Sequence, residues 1–234
     1  MASHINFLYS KEQELSSLTS LFDESWIYKY CTNIKKRGGR GSTLLFTHPN
    51  GQGCVLRHYF RGGFIGKIIK DIFFLFEKHA HRSFDEYNLL LWMRSNGLQV
   101  PKPIIAREQK YFGFLKQDIV IEEIFGSNDL AHIIDKRPLT DLELKNIGLS
   151  IKKMFDLGVD HTDLNIRNIL LDDKGLVYLI DFDKCFRCEL SLKRKQEILE
   201  RLLRSFNKEM LIKKQKIFFD EKSFEILRQT ALSA

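Results

Sequence analysis

Two short apolar runs, ringed by acids and carboxamides, constrain this chain more than any other feature. The stretch "VDHTDLNIRNILL" (159–171) is followed after a few polar residues by "VYLIDFDKC" (177–185). Residues 169–171 and 177–180 are each long enough for a strand, and the Asp-Asp-Lys-Gly between them signals a turn. A hairpin-like pair is therefore expected, with His161, Asp163, Asn165 and Asn168 before it and Asp181 and Asp183 at its exit. Carboxylates and carboxamides set against a core cost free energy unless they are partnered. The partner here is a hydrogen-bond network, a metal or a substrate.

The spacing narrows that choice. His161, Asp163 and Asn168 stand in the H-x-D-x-x-x-x-N order of a kinase catalytic loop, and "LIDFD" follows at a hairpin's distance. Phosphoryl transfer needs a carboxylate beside the accepting hydroxyl and hard oxygen ligands for Mg²⁺. Asp163 suits the first task as general base, Asn168 and Asp181 the second, and His161 braces the loop. Taken singly, Asp163, Asn165 and Asn168 would read as turn-forming residues that bond nearby backbone. The two motifs together favour the kinase reading. Asp183 stands where D-F-G has glycine, and either adds a carboxylate near the metal or caps the next turn.

Upstream parts occur in the order such a site requires. "GGRGST" offers Gly38, Gly39, Gly41 and Ser42 as a phosphate-covering turn, although the full G-x-G-x-x-G is missing. "CVLRHYF" offers Arg57 as the phosphate cation where lysine is usual, and Glu86 would orient it from the following helix. "IVIEEIFG" stands where a hinge would offer backbone groups to adenine, at Glu122, Glu123 and Ile124. A helix is expected from Ser83, with Glu86 at capping-box spacing and Gly97 at its end. Another is expected over 139–158, with Thr140 and Glu143 as capping box and Leu144, Ile147, Ile151 and Met154 on one face. The stretch 64–82 reads as an amphipathic helix, packed on the body or lying on a membrane surface. Residues 1 to about 36 are mixed and open with a polar, poorly patterned segment, and Trp26, Ile27 and Tyr30 mark a short helix or strand near its end.

The resulting plan is α+β and two-lobed: an N-terminal extension (1–35), a β-rich lobe including the hinge (36–124), and a reduced, mostly helical lobe with a basic tail (125–234). Only residues 182–234 follow Asp181, too few for the activation segment and large substrate lobe of a eukaryotic-type protein kinase. That shortness favours a small or lipid-linked acceptor. The formal net charge of +7 attracts polyanions without choosing among them. No nucleic-acid motif accompanies it. The N-terminus lacks the pattern of a secretory signal, and no apolar run reaches the roughly 20 residues of a membrane span. Both point to the cytosol, as do four cysteines without a disulfide framework; Cys185 and Cys188 read as ordinary thiols.

The stretches "GRGST", "VLRHYFRGG", "HRSFDEYNLLLWMRSNGLQVPKPI" and "DHTDLNIRNILLDDKGLVYLIDFDKC" together resemble the 3-deoxy-D-manno-octulosonic acid (Kdo) kinases, within a wider group of lipopolysaccharide-core kinases of Gram-negative bacteria. The likeness runs from about Lys36 to about Arg204. It implies a protein-kinase-like fold and an ATP- and Mg²⁺-dependent enzyme that phosphorylates the 4-hydroxyl of Kdo on a lipid A precursor, at the cytoplasmic face of the inner membrane. It carries Asp163 over as base and Asn168 and Asp181 as metal ligands, and makes Arg57 in place of lysine a trait of the group. An anionic membrane surface would be met by Arg57, Arg61, Lys67, Lys70 and the basic tail. A heptose kinase of the same core, a compact atypical protein kinase and a pseudokinase binding module are the rival readings. The retained Asp163, Asn168 and Asp181 weigh against the last.

Overall fold

A computed structural model describes residues 4–37, 43–59, 73–74, 80–112, 114–214 and 216–233. The chain divides into two compact units, one of Met1–Leu91 with Pro101–Phe125, the other of Trp92–Val100 with Gly126–Ala234. The first is sheet-rich and the second largely helical, an α+β composition consistent with a kinase-like fold.

The first unit is built on one antiparallel sheet. Its elements in chain order are β1 (His4–Tyr9), α1 (Leu15–Thr19), α2 (Glu24–Tyr30), β2 (Thr32–Arg37), β3 (Thr43–Thr47), β4 (Gly53–His58), β5 (Phe73–Phe74), α3 (Arg82–Ser95, which crosses the unit boundary), β6 (Pro103–Tyr111) and β7 (Phe114–Glu122). The spatial order is β1-β6-β7-β4-β3-β2, with β5 also paired to β7. Leu44, Leu45 and Phe46 are all buried in β3, as are Gln117 through Ile121 in β7, so this sheet is covered on both faces. The period-2 alternation of strands sorts the side chains. Leu44, Phe46, Cys54, Leu56 and Val120 join Leu18, Phe22 and Ile27 in one cluster under the N-terminal helices. Val55, Arg57 and Ile119 point the other way, where Arg57 meets α3.

The second unit contains β8 (Ser127–Asp129), α4 (Leu130–Ile134), α5 (Asp141–Asp156), β9 (Val159–Asp160), β10 (Ile169–Asp172), β11 (Val177–Leu179), β12 (Phe186–Arg187), α6 (Leu192–Ile212) and α7 (Glu221–Ala231). β10 pairs with β11 in the expected hairpin and with β8 on its other edge. Asp172 shapes the turn by accepting from the amides of Lys174 and Leu176, and Gly175 takes φ +78° there. α5 begins on the expected capping box of Thr140 and Glu143 and buries Leu144, Ile147, Ile151 and Met154. α7 lies so close to it that a Cβ on Gly148 would stand 2.6 Å from Thr230 Cβ.

Three expectations change. The poorly patterned N-terminal start is a strand, β1, which pairs along β6 from His4–Lys110 to Tyr9–Ile105, while the short element expected around Trp26, Ile27 and Tyr30 forms as α2. The capping box at Ser83 and Glu86 does not form. The Ser83 amide donates to Gln117 Oε1, and the Glu86 carboxylate is taken by β4 side chains. The amphipathic helix read over 64–82 fails at Phe73 and Phe74, which pair as a strand with Leu115 and Phe114. Apolar runs of this kind suit a strand as well as a buried helix. Residues 64–72 and 75–79 of that stretch lie outside the described residues, as do Gly38, Gly39, Gly41 and Ser42. Among the described residues no helix is long and apolar enough to cross a membrane.

Candidate active site

In the first unit, the site residues converge on one carboxylate. Arg57 on β4 and Tyr59 just past its end meet the same carboxylate. Arg57 Nη2 donates to Glu86 Oε2 at 2.6 Å, and the Tyr59 hydroxyl donates to the same oxygen at 2.5 Å. Glu86 is 2 % exposed, so its charge depends on these donors. The guanidinium groups of Arg57 and Arg82 lie 5.5 and 5.2 Å from the Tyr59 ring. Tyr59 and Arg82 are site neighbours that sequence reasoning passed over. The alternation in Arg-His-Tyr was the available signal for Tyr59, because residues two apart share a face.

His58 points to the opposite side, where its Nδ1 bonds the buried Asp118, and Arg107 Nε donates to the other Asp118 oxygen at 2.5 Å. Burial pushes the Asp118 carboxyl up, but the bonds from His58 and Arg107 outweigh it and hold the group below its ordinary value. The positions read as a hinge lie at the end of β7. The Glu122 amide donates to the Lys102 carbonyl and the Glu123 amide to that of Gly53, so those two N–H groups are engaged within the unit.

In the second unit, the loop between β9 and β10 is fixed from within. His161 is fully buried, its ring 4.8 Å from that of the equally buried Phe182. The Asp163 amide approaches His161 Nδ1 at 3.3 Å, which leaves Nε2 as the protonated nitrogen that donates to the Ile180 carbonyl at 3.1 Å. Burial pushes this imidazole below the ordinary histidine range. The result is a neutral ring that ties the residue before Asp181 to the backbone of Asp163. The Asp163 carbonyl accepts from Asn165 Nδ2 at 2.9 Å and Asn168 Nδ2 at 3.0 Å. The Ile180 amide donates to the Asn168 carbonyl at 3.0 Å, extending the hairpin ladder so that Asp181 comes beside Asn168.

The side chains left over have the right character for chemistry. Asp163 has a fixed backbone but a carboxylate 65 % exposed. Asn168 spends its amide nitrogen on Asp163, which leaves its oxygen as the available atom. Asp181 holds φ +64°, a conformation costing an L-residue about 1 kcal/mol or more and concentrated at functional sites. Asp183 lies in the turn closed by the Cys185 amide on the Phe182 carbonyl. Cys185 and Cys188 are thiols outside any disulfide, the first buried. Among the described residues no group of three or more His, Cys, Asp or Glu converges as a metal cage. Mg²⁺ does not require one, since it binds through one or two protein oxygens with waters and phosphates.

One helix holds the loop from outside. Arg194 Nε and Nη2 reach the buried Asp160 at 2.7 and 2.9 Å. Ser205 Oγ accepts the Ile166 amide at 3.1 Å, Glu209 accepts from Arg167 at 2.8 Å, and Arg201 stands 3.6 Å from Asp163. All four helix residues lie on α6.

The chain is similar in sequence to known proteins. The chain is 43% identical over 191 residues to the 3-deoxy-D-manno-octulosonic acid kinase of Vibrio parahaemolyticus serotype O3:K6, covering 82% of this chain and 79% of that protein. It is 43% identical over 172 residues to the Vibrio cholerae serotype O1 protein of the same name, covering 74% and 72%. To the Pasteurella multocida protein of that name it is 36% identical over 227 residues, covering 94% and 93%. The sequence profile of the lipopolysaccharide kinase (Kdo/WaaP) family matches residues 28–222. The chain therefore belongs to the lipopolysaccharide kinase (Kdo/WaaP) family, and is a phosphotransferase that acts on an alcohol group.

Proposed function

We propose that this protein transfers the γ-phosphoryl group of ATP to the 4-hydroxyl of Kdo on a lipid A precursor, at the cytoplasmic face of the inner membrane. The observation that carries the reaction class is the braced loop, in which His161, Asn165 and Asn168 fix the Asp163 backbone while its carboxylate stays open to an acceptor. The acceptor assignment rests on relatives named for that sugar acid.

In this reading Asp163 accepts the proton of the acceptor hydroxyl as its oxygen bonds to the γ-phosphorus, and the bond to the β-phosphate oxygen breaks to release ADP. General-base assistance of this kind contributes typically about 10²- to 10⁴-fold. Asn168 and Asp181 would hold Mg²⁺ through their oxygens, and Asp183, two residues on, would add another. The ion supplies neutralisation of the phosphate charge. Arg57, oriented by Glu86 and Tyr59, binds the nucleotide phosphates; Gly38, Gly39, Gly41 and Ser42, read from the sequence as the phosphate-covering residues, lie outside the described residues. Glu122, Glu123 and Ile124 receive adenine through backbone groups other than the two engaged amides. His161 stays neutral and positions the loop.

The test is incubation with labelled ATP, Mg²⁺ and Kdo-bearing lipid A precursor, beside a heptosylated precursor. Label is expected on the first, at the 4-position, dependent on Mg²⁺ and lost in Asp163→Ala. Transfer to the heptosylated lipid alone would make this a heptose kinase and refute the acceptor assignment.

A further inference from the structure

The structure holds a cation beside Asp163 that the reaction scheme leaves unused. Arg201, on α6, reaches to 3.6 Å from Asp163 Oδ1, with 45 % of its side chain exposed. That separation exceeds the roughly 2.7–2.9 Å of a charge-assisted hydrogen bond. An ion pair so open to water contributes about 0–1 kcal/mol. Nor does the loop require Arg201 for its shape, because the Asp163 amide and carbonyl already make three bonds within the loop.

The same helix shows what a structural arginine looks like here. Arg194 grips Asp160 with two bonds of 2.7 and 2.9 Å, and that carboxylate is buried. Arg201 instead stands half-exposed beside the group read as the base, at 3.6 Å rather than at hydrogen-bond length. A guanidinium so placed meets whatever acid lies near the reacting hydroxyl. Arginine is the residue suited to bidentate recognition of a carboxylate.

We infer that Arg201 is a specificity residue, binding the carboxylate of a sugar-acid acceptor while Asp163 engages its hydroxyl. The inference rests on the acceptor reading given above and adds the group that tells an acid from a neutral sugar. With hydrogen-bond lengths to both side chains, the carboxylate and the reacting hydroxyl would lie within roughly 9 Å of each other. Within a single sugar acid that distance is easily met.

The experiment compares wild type, Arg201→Gln and Arg201→Lys on Kdo-bearing lipid A precursor and on the same lipid with the Kdo carboxyl as its methyl ester. Arg201→Gln is expected to raise KM for the acid about 10- to 100-fold, the worth of a charge-assisted bond, and to leave KM for ATP unchanged. It should change the ester's KM little, so that discrimination between acid and ester collapses. Arg201→Lys should retain part of it, and thermal melting should be near that of wild type for both variants. Equal losses on acid and ester would overturn the assignment, and would be the result if the arginine met a lipid phosphate or merely shaped the loop. Wild type inactive on the acid lipid would overturn the acceptor reading itself, and this inference with it.

Discussion

Replacing Arg194 by alanine removes a clamp whose cost can be worked from its geometry. Asp160 has 7 % of its side chain exposed and accepts its two side-chain bonds from Arg194, itself 34 % exposed. Taking one partner from a buried pair leaves an uncompensated charge, at about 3–5 kcal/mol. Water reaches the guanidinium side and would enter the vacated space, which lowers the expectation to about 2–3 kcal/mol. The lesser bond from Arg194 to the exposed Glu197 adds little. For a chain of this size, about 2–4 °C of melting temperature is lost per kcal/mol, so Tm should fall about 5–10 °C. Scanning calorimetry of Arg194→Ala, Asp160→Asn and the double variant measures it. The double variant should be less destabilised than Arg194→Ala alone, because no buried charge remains. A loss below about 0.5 kcal/mol in the single variant, or a double variant worse than both singles added together, would refute the reasoning.

Gly148→Ala should destabilise by about 1–3 kcal/mol, read by urea titration, since its Cβ would press on Thr230 Cβ and the Leu227 carbonyl at the α5–α7 contact. His161 is held neutral when folded but binds a proton below about 6.5 when unfolded. Its contribution is therefore fully present above that pH and is lost as pH falls through it, at up to about 1.4 kcal/mol per unit; His161→Gln should flatten that part of a stability–pH curve. Glu86→Gln keeps the shape but not the charge beside Arg57, and should lower kcat/KM for ATP about 10-fold while leaving KM for the acceptor unchanged.

What the sequence reveals about this fold follows the range of the interactions. The β10–β11 hairpin and the α5 capping box are local devices, with their signals within a few residues, and both form where expected. The Ser83–Glu86 box carries the same local signal and does not form, because Glu86 is claimed by Arg57 from 29 residues upstream. A buried ion pair outweighs a solvent-exposed cap. β6 is equally hidden: past Ile105 it reads Ala-Arg-Glu-Gln-Lys-Tyr, a polar run whose strand state comes from β1 and β7 on either side. Order along the chain brought Arg57 and Glu86 to notice as a pair. Tyr59, Arg82 and Arg201 had no such guide, since each matters only through a partner brought near by folding.

The contacts of α6 show how one helix holds the loop between β9 and β10. Arg194, Arg201, Ser205 and Glu209 are spaced by seven, four and four residues, which aligns them along one side of a helix. Their partners, Asp160, Asp163, Ile166 and Arg167, follow one another through the loop. The neighbouring stripe of Ile198, Leu199, Leu202 and Phe206 is buried, and Phe206 stacks on Phe219 at 4.0 Å. A single amphipathic helix thus both closes part of the core and holds the loop along its polar edge. Holding the loop from that edge leaves the Asp163 carboxylate itself uncovered, at 65 % exposure. In the proposed reading, that open carboxylate and the Arg201 beside it are what a sugar acid on a lipid anchor would meet.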